Sequence, residues 1–233
     1  MNRKVEIVRK ILDSNDRLAA ENQKRLNARK ILGLNIMASP GAGKTSFLLK
    51  TIERLPDSIH LGVIEGDTAP VTIDSDKIAA KGIPVVQINT GGECHLDAVM
   101  TEMALDQLPL DELDLLIIEN VGNLICPAAF ALGTHKNILI ASIPEGDDKP
   151  YKYTNIYRGI DVLIINKIDL LPYLEFRMDY FKQGVAALNH GLVIFELSSK
   201  TGEGFEVWID WLTAEVANIK ISLARVSSIN ASE

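Results

Sequence analysis

Seven short apolar runs punctuate the chain from Ile31 onward: ILGLNIM (31–37), IHLGVIE (59–65), VVQIN (85–89), LDLLIIE (113–119), NILIASI (137–143), DVLIIN (161–166) and LVIFEL (192–197). Each is close to continuously apolar, the texture of a strand covered on both faces. Helical patterning fills the intervals. Alternation of strand and helix predicts a doubly wound α/β fold, a mostly parallel sheet with helices on both faces. Ahead of it, residues 3–29 are amphipathic and helical, with Val5, Val8 and Leu12 on one stripe. Ser14-Asn15-Asp16 offers a break and a new helix cap. After about Lys220 the pattern fades. The expected division is an N-terminal helical segment over 1–30 packed on the core, one α/β domain over 31–220, and a C-terminal tail over 221–233. The N-terminal helices carry no chemistry of their own and are expected to cap the core or dock a partner.

Ligands of such sheets gather at the carboxyl ends of the strands, and polar motifs follow the runs repeatedly. After the first comes Ala38-Ser39-Pro40-Gly41-Ala42-Gly43-Lys44-Thr45, then a helix-like stretch that opens with Ser46. This is the phosphate-loop pattern in its strand-to-helix setting, with Ala38 where the consensus has its first glycine. Gly41 and Gly43 let the backbone curl its N–H groups, Ala42 included, toward phosphate oxygens. Lys44 is suited to neutralise the β- and γ-phosphates, and Thr45 and Ser46 lie where the Mg²⁺ ligand and the next phosphate contact are expected. Asn166-Lys167-Ile168-Asp169 follows the sixth run. A carboxylate such as Asp169 accepts from guanine N1–H and the 2-amino group together, whereas adenine N1 would face it with a lone pair. Ser198-Ser199-Lys200, after the last run, has the composition of a loop closing over guanine O6, with Ser199 and Lys200 as base contacts. The pattern therefore favours GTP and GDP over adenine nucleotides.

Acidic strand tips lie between these motifs. Glu65-Gly66-Asp67 ends the second run and Glu119-Asn120-Val121-Gly122 the fourth. Asp67 is the first candidate for Mg²⁺ and water positioning and Glu119 the second, with Lys44 completing the catalytic set. Gly122 can bring its N–H to a γ-phosphate. No arginine finger or general base in cis stands out, which predicts slow intrinsic hydrolysis, as suits a switch. Cys94-His95 follows the third run, and Cys126-Pro127 follows Gly122 closely. Thiolate and imidazole suit Zn²⁺ or Ni²⁺. Three ligands leave a site short of four, so an exchangeable ligand or a second subunit is needed to complete it. Plain burial of two small apolar thiols accounts for the same residues on spacing alone. His60, His135 and His190 have no evident partners and read as structural or exposed.

Composition narrows the classes. The chain has 233 residues, net charge −7, 47% hydrophobic and 24% charged residues. It fits one sizeable domain, and its acidity argues against a general nucleic-acid surface. No apolar run reaches membrane-spanning length, and the charged start lacks a signal-peptide core, so a cytoplasmic protein is expected. With two cysteines in a reducing compartment, a structural disulfide is not expected.

Taken in order, PGAGKT (40–45), EGD (65–67), NTGGECHLDA (89–98), ENVGNLICP (119–127), EGDDKP (145–150) and NKIDLLP (166–172) resemble the hydrogenase nickel-incorporation GTPase family, HypB, over about residues 4–219. The resemblance implies a P-loop GTPase of the SIMIBI class that forms a GTP-promoted homodimer and helps insert nickel into [NiFe] hydrogenase. It implies work with a HypA-type nickel chaperone and with the hydrogenase large subunit, directly or through partners. It also implies that Cys94, His95 and Cys126 form a Ni²⁺ or Zn²⁺ site near the dimer interface. The N-terminal CxxCGC motif and histidine-rich tract of some members are not seen, which leaves one metal site per chain as the expectation. Two sibling classes stay open on the residues alone: a chaperone for urease or a cobalamin enzyme, and a nucleotide-dependent scaffold with inert cysteines. A urease-type chaperone would show Cys-Pro-His at its metal site, whereas here His95 follows Cys94 directly.

Overall fold

All seven apolar runs form strands: β1 (Leu32–Ala38), β2 (Leu61–Asp67), β3 (Val85–Asn89), β4 (Leu115–Glu119), β5 (Lys136–Ser142), β6 (Val162–Asn166) and β7 (Val193–Glu196). The structure is a computed structural model that describes residues 7–68 and 72–230. The strands join in one sheet of order β3-β2-β4-β1-β5-β6-β7, and every pairing is parallel. The helices are α1 (Ile7–Arg29), α2 (Lys44–Arg54), α3 (Ile73–Ala79), α4 (Ala98–Leu105), α5 (Lys149–Lys152), α6 (Thr154–Arg158), α7 (Met178–Leu188) and α8 (Phe205–Asn230). None of the described helices is long and apolar enough to cross a membrane.

Side chains alternate faces along a strand, and here both faces are apolar. Leu34 and Ile36 of β1 look toward Phe47 and Leu48 of α2 and Phe205, Trp208 and Leu212 of α8. On the other face, Leu116 and Ile118 of β4 meet Leu26 of α1 and Leu105 of α4. Farther along that face, Leu139, Leu163 and Ile165 pack with Tyr157 and Phe181. Each fully buried Leu, Ile or Phe contributes roughly 1.5–3 kcal/mol of transfer free energy, which is why the central runs tolerate no alternation. The outermost strands differ. β3 and β7 lie at the sheet edges and are only partly buried, with Val193 exposed. Trp208 is fully buried, donates from Nε1 to Thr51 Oγ1 on α2 at 3.0 Å, and stacks with Trp211.

Two sequence expectations need correction. The break at Ser14-Asn15-Asp16 is absent, and α1 runs unbroken from Ile7 to Arg29. Ser14 Oγ bonds back to the Lys10 carbonyl, and Asn15 turns inward to partners far along the chain, so neither residue caps a new helix. Of the expected stripe, Val5 lies outside the described residues and Leu12 is half-buried. The fading pattern near Lys220 does not end the structure, because α8 continues as one helix to Asn230. His60 is exposed beside Asp114, and His135 bridges Gly33 N and Asn27 Oδ1, both structural contacts.

Candidate nucleotide and metal site

The central strand β1 ends at Ala38 and delivers the chain to the phosphate loop. Gly41 and Gly43 have φ of 77° and 100°, a region where a side chain would be strained. At Gly43 a Cβ would also meet Asn166 Nδ2 at 2.7 Å. Ala38 is fully buried and is not among the positive-φ residues, so the backbone there does not call for glycine. Helix α2 starts at Lys44 with no side-chain cap. Its first N–H groups, which have no intrahelical partner, and the positive end of its dipole therefore point to the loop. Together these groups form an anion cradle.

The cradle opens into a cleft of about 450 Å³ that holds Gly41, Gly43, Lys44, Thr45, Ser46, Asp67, Glu119 and Gly122. A Cβ on Gly122 would sit 3.2 Å from Pro40, so glycine lets the loop after β4 lie against the phosphate loop. Glu65 and Asp74 line the same cleft, and neither was assigned a role from sequence. Thr45 Oγ1 is 2.9 Å from both Glu119 Oε1 and Asp74 Oδ2, though one hydroxyl proton serves only one of them at a time. Burial pushes the Glu119 carboxyl up to about 7, against the pull of Lys44 and Thr45. Burial, reinforced by Glu119, Asp67 and Asp74, takes Glu65 to about 7 as well. Glu65 Oε2 and Glu119 Oε2 are buried without a hydrogen-bond partner. Converging carboxylates with orphaned oxygens beside a threonine hydroxyl fit a hard divalent cation such as Mg²⁺.

A second recess of about 400 Å³ adjoins the first through Gly43, Ser46 and Lys167, and is lined by Asn166, Asp169, Ser199 and Lys200. Asn166 is buried at the tip of β6. Its Oδ1 accepts from Lys167 N, Ser199 N and Ser199 Oγ at 2.8, 3.1 and 3.0 Å, and its Nδ2 donates to the Ala42 carbonyl at 3.0 Å. The residue thus knits three loops together. Lys167 has φ of 62° and sends Nζ to the Gly41 carbonyl at 2.6 Å, so its stem spans the space between the two recesses. Ser198 Oγ donates to Asp169 Oδ1 at 2.6 Å.

Cys94, His95 and Cys126 also come together. Their ligand atoms lie within 4.8 Å of one another, and all three residues are half-buried. The thiols are 2.8 Å apart, and Cys94 Sγ is 3.7 Å from His95 Nδ1. Hydrogen bonding to Cys126, then burial, holds the Cys94 thiol above its ordinary range. The His95 ring lies 4.0 Å from that of Phe130. Three contacts tie this cluster to the nucleotide cleft and the loop after β4. Leu96 N donates to Asn120 Oδ1 at 3.1 Å, while the Leu96 side chain fills the space over Gly66, where a Cβ would meet it at 2.8 Å. Asn123 Nδ2 donates to the Cys94 carbonyl at 3.3 Å. Asn120 is fully buried next to Glu119, and its Nδ2 continues to Asn35, whose amide reaches Asn137. No sequence signal marks these asparagines, since a lone amide in a motif is compatible with any loop.

A phosphate loop at the tip of the central parallel strand, faced by acidic strand tips and an NKID loop, defines a nucleotide-binding protein of the P-loop class. The sequence model of the CobW/HypB/UreG nucleotide-binding domain matches residues 33–196. Hydrogenase maturation factor HypB of Escherichia coli K12 is 44% identical over 213 residues, covering 91% of this chain and 73% of that protein. The crystal structure of HypB from Helicobacter pylori in complex with nickel matches with a TM-score of 0.84 at 38% identity, covering 88% of this chain and 96% of that one. The signal recognition particle 54 kDa protein of Aeropyrum pernix K1, in complex with GDP, shares the fold alone, with a TM-score of 0.57 at 14% identity over 86% of this chain and 50% of that one. The chain belongs to the HypB family of hydrogenase maturation factors.

Proposed function

We propose that the protein is a GTP-hydrolysing metallochaperone that delivers nickel during [NiFe] hydrogenase maturation, with a nucleotide-gated Cys/His site at a homodimer interface. The observation that carries the reading is the direct bond from Leu96 N, next to His95, to the amide of Asn120, next to Glu119. Gly41 to Ser46 cradle the phosphates, with Lys44 neutralising charge that develops on the β- and γ-oxygens. Asp169 selects guanine, and Ser199 and Lys200 close over its far edge. Thr45, Asp67 and Glu119 would hold Mg²⁺, which would supply charge neutralisation for phosphoryl transfer. Asp67 orients the attacking water, and Gly122 reports the γ-phosphate to the loop that ends at Cys126. Ni²⁺ is cargo: the two thiolates and one imidazole suit it as they suit Zn²⁺, and a second subunit completes the ligand set. GTP favours the dimer and the loaded site, and hydrolysis loosens the ligand loops so that the ion passes on, through a HypA-type chaperone, toward the hydrogenase large subunit.

The test is Ni²⁺ and Zn²⁺ binding to the full chain with GDP and with a non-hydrolysable GTP analogue, beside Cys94→Ala. Affinity or stoichiometry that changes with nucleotide and collapses in the variant supports the gated site. Binding that is weak, blind to nucleotide and indifferent to the variant leaves a GTPase and removes the chaperone mechanism.

A further inference from the structure

Among the described residues, helix α1 contributes none to either nucleotide recess and none to the Cys/His cluster. Its inward face is nonetheless unusually polar. Asn15, Ala19, Asn22 and Leu26 alternate at spacings of four, three and four residues and are all buried, so amides occupy two positions where an apolar contact would suffice. Their partners are specific. Asn15 Oδ1 accepts from Ala98 N at 2.9 Å, and its Nδ2 donates to the Ala131 carbonyl at 2.9 Å. Asn22 Nδ2 donates to the Ala98 carbonyl at 2.9 Å and to the Leu132 carbonyl at 3.2 Å.

Both partner segments belong to metal-ligand loops. Ala98 is the first residue of α4, directly after Cys94-His95-Leu96-Asp97, and its N–H is one of the helix-start donors that lack an intrahelical partner. Asp97 meets that of Met100 at 2.8 Å, and Asn15 meets that of Ala98. Ala131 follows Phe130, whose ring packs on His95, and Phe130 lies shortly after Cys126. Asn15 therefore joins the loop that carries Cys94 and His95 to the loop that carries Cys126, and Asn22 ties the same two segments about two turns further along α1. An apolar contact would let the loops slide, whereas two directional bonds to a buried amide fix their separation.

We infer that Asn15 is a positioning residue of the metal site: its amide sets the spacing of the two ligand loops and makes their convergence depend on how α1 is seated. The inference rests on the assignment of Cys94, His95 and Cys126 as metal ligands. It gives α1 a task other than capping the sheet. A partner that grips or tilts α1 acts on the metal ligands without touching the nucleotide.

The experiment is a Ni²⁺ titration of the full chain against a chromophoric competitor, together with the thiolate-to-nickel absorption bands. Asn15→Ala is expected to weaken Ni²⁺ binding about 10- to 100-fold, as for other outer-shell partners of metal ligands, and to alter the bands. Metal-free GTP hydrolysis is expected to stay at the parent rate. Asn15→Asp keeps the acceptor for Ala98 N but sets an oxygen against the Ala131 carbonyl in place of the donor, so it too is expected to weaken Ni²⁺ binding; it also carries the test should Asn15→Ala not fold. Arg25→Ala with Arg29→Ala removes the exposed ion pairs of α1 to Asp106 and Asp111 and is expected to leave nickel affinity unchanged. Unaltered affinity and bands in folded Asn15 variants overturn the inference alone, as does an equal loss in the arginine variant. Absence of Cys94-dependent nickel binding in the parent protein overturns the metal assignment and the inference with it.

Discussion

Individual side chains at the site divide into those that present chemistry and those that hold loops. Asp169 is the proposed base contact: in Asp169→Asn the carboxylate becomes an amide, which would donate to the C2 carbonyl of xanthine. GTP affinity is expected to fall about 10- to 100-fold, the worth of one or two charge-assisted hydrogen bonds, while xanthosine triphosphate gains. Competition binding of the two nucleotides reads the exchange, and unchanged GTP preference would refute the base contact. Glu65 and Glu119 make a different point. Their carboxyls are raised from an ordinary 4.5 to about 7, so between those values the folded protein holds protons that the unfolded chain releases. Stability of the nucleotide-free, Mg²⁺-free protein should therefore decline as pH rises from about 4.5 to 7 and level off above. Glu119→Gln should flatten that slope, and Mg²⁺ with nucleotide should offset it, both measurable by thermal unfolding across pH. A parent protein whose stability climbs through that window would contradict the assigned burial. Asp67, Glu119 and Asp169 were legible as candidates because each stands in a short motif at or just past a strand tip. Glu65 was visible only as part of a motif, and Asp74 in the first turn of α3 looks like any acid that complements a helix dipole. Asn15 and Asn120 act through amides whose partners lie 83 and 24 residues away, a separation that spacing rules do not read.

At the level of elements, the strands were the most legible part of the molecule. Burial on both faces leaves a contiguous apolar word in the sequence, and all seven such words became strands within a few residues of the expected bounds. Helix α1 was harder because its inward face mixes two amides with apolar residues, and the Ser-Asn-Asp triplet that resembles a cap sits inside it. Its contact with the segment before β5 is close enough to test directly. Gly133 has φ of 95°, and a Cβ there would meet the Ala19 carbonyl at 2.4 Å and Asn22 Cβ at 2.6 Å. Gly133→Ala combines backbone strain with overpacking and should destabilise by about 2–4 kcal/mol. Gly82 has φ of 78° with open space around it, so Gly82→Ala carries strain alone and should cost about 1–2 kcal/mol. Denaturant unfolding of the pair separates the two contributions, and equal losses would mean that α1 does not press on Gly133.

For the molecule as a whole, strand order does the gathering. With β1 between β4 and β5, the loops after β1, β2, β3, β4 and β6 all emerge at one end of the sheet. Phosphate loop, acidic tips, ligand loops and NKID loop thus meet although they are spread along most of the chain. Motif order in the sequence announces this meeting only to a reader who already assumes a parallel sheet. The particular contact between the two halves of the site was not legible, because it runs through Leu96, packed over Gly66 and bonded to Asn120. At the opposite end of α2 from the phosphates, Thr51 receives the indole N–H of buried Trp208. The chain has two tryptophans, and the other, Trp211, stacks on Trp208. The chain therefore contains an optical gauge fastened to the helix that the nucleotide caps. Emission intensity and wavelength should shift when GTP fills the cradle, without any attached dye, and Thr51→Val, which takes the indole's acceptor away, should change the resting spectrum and blunt the shift.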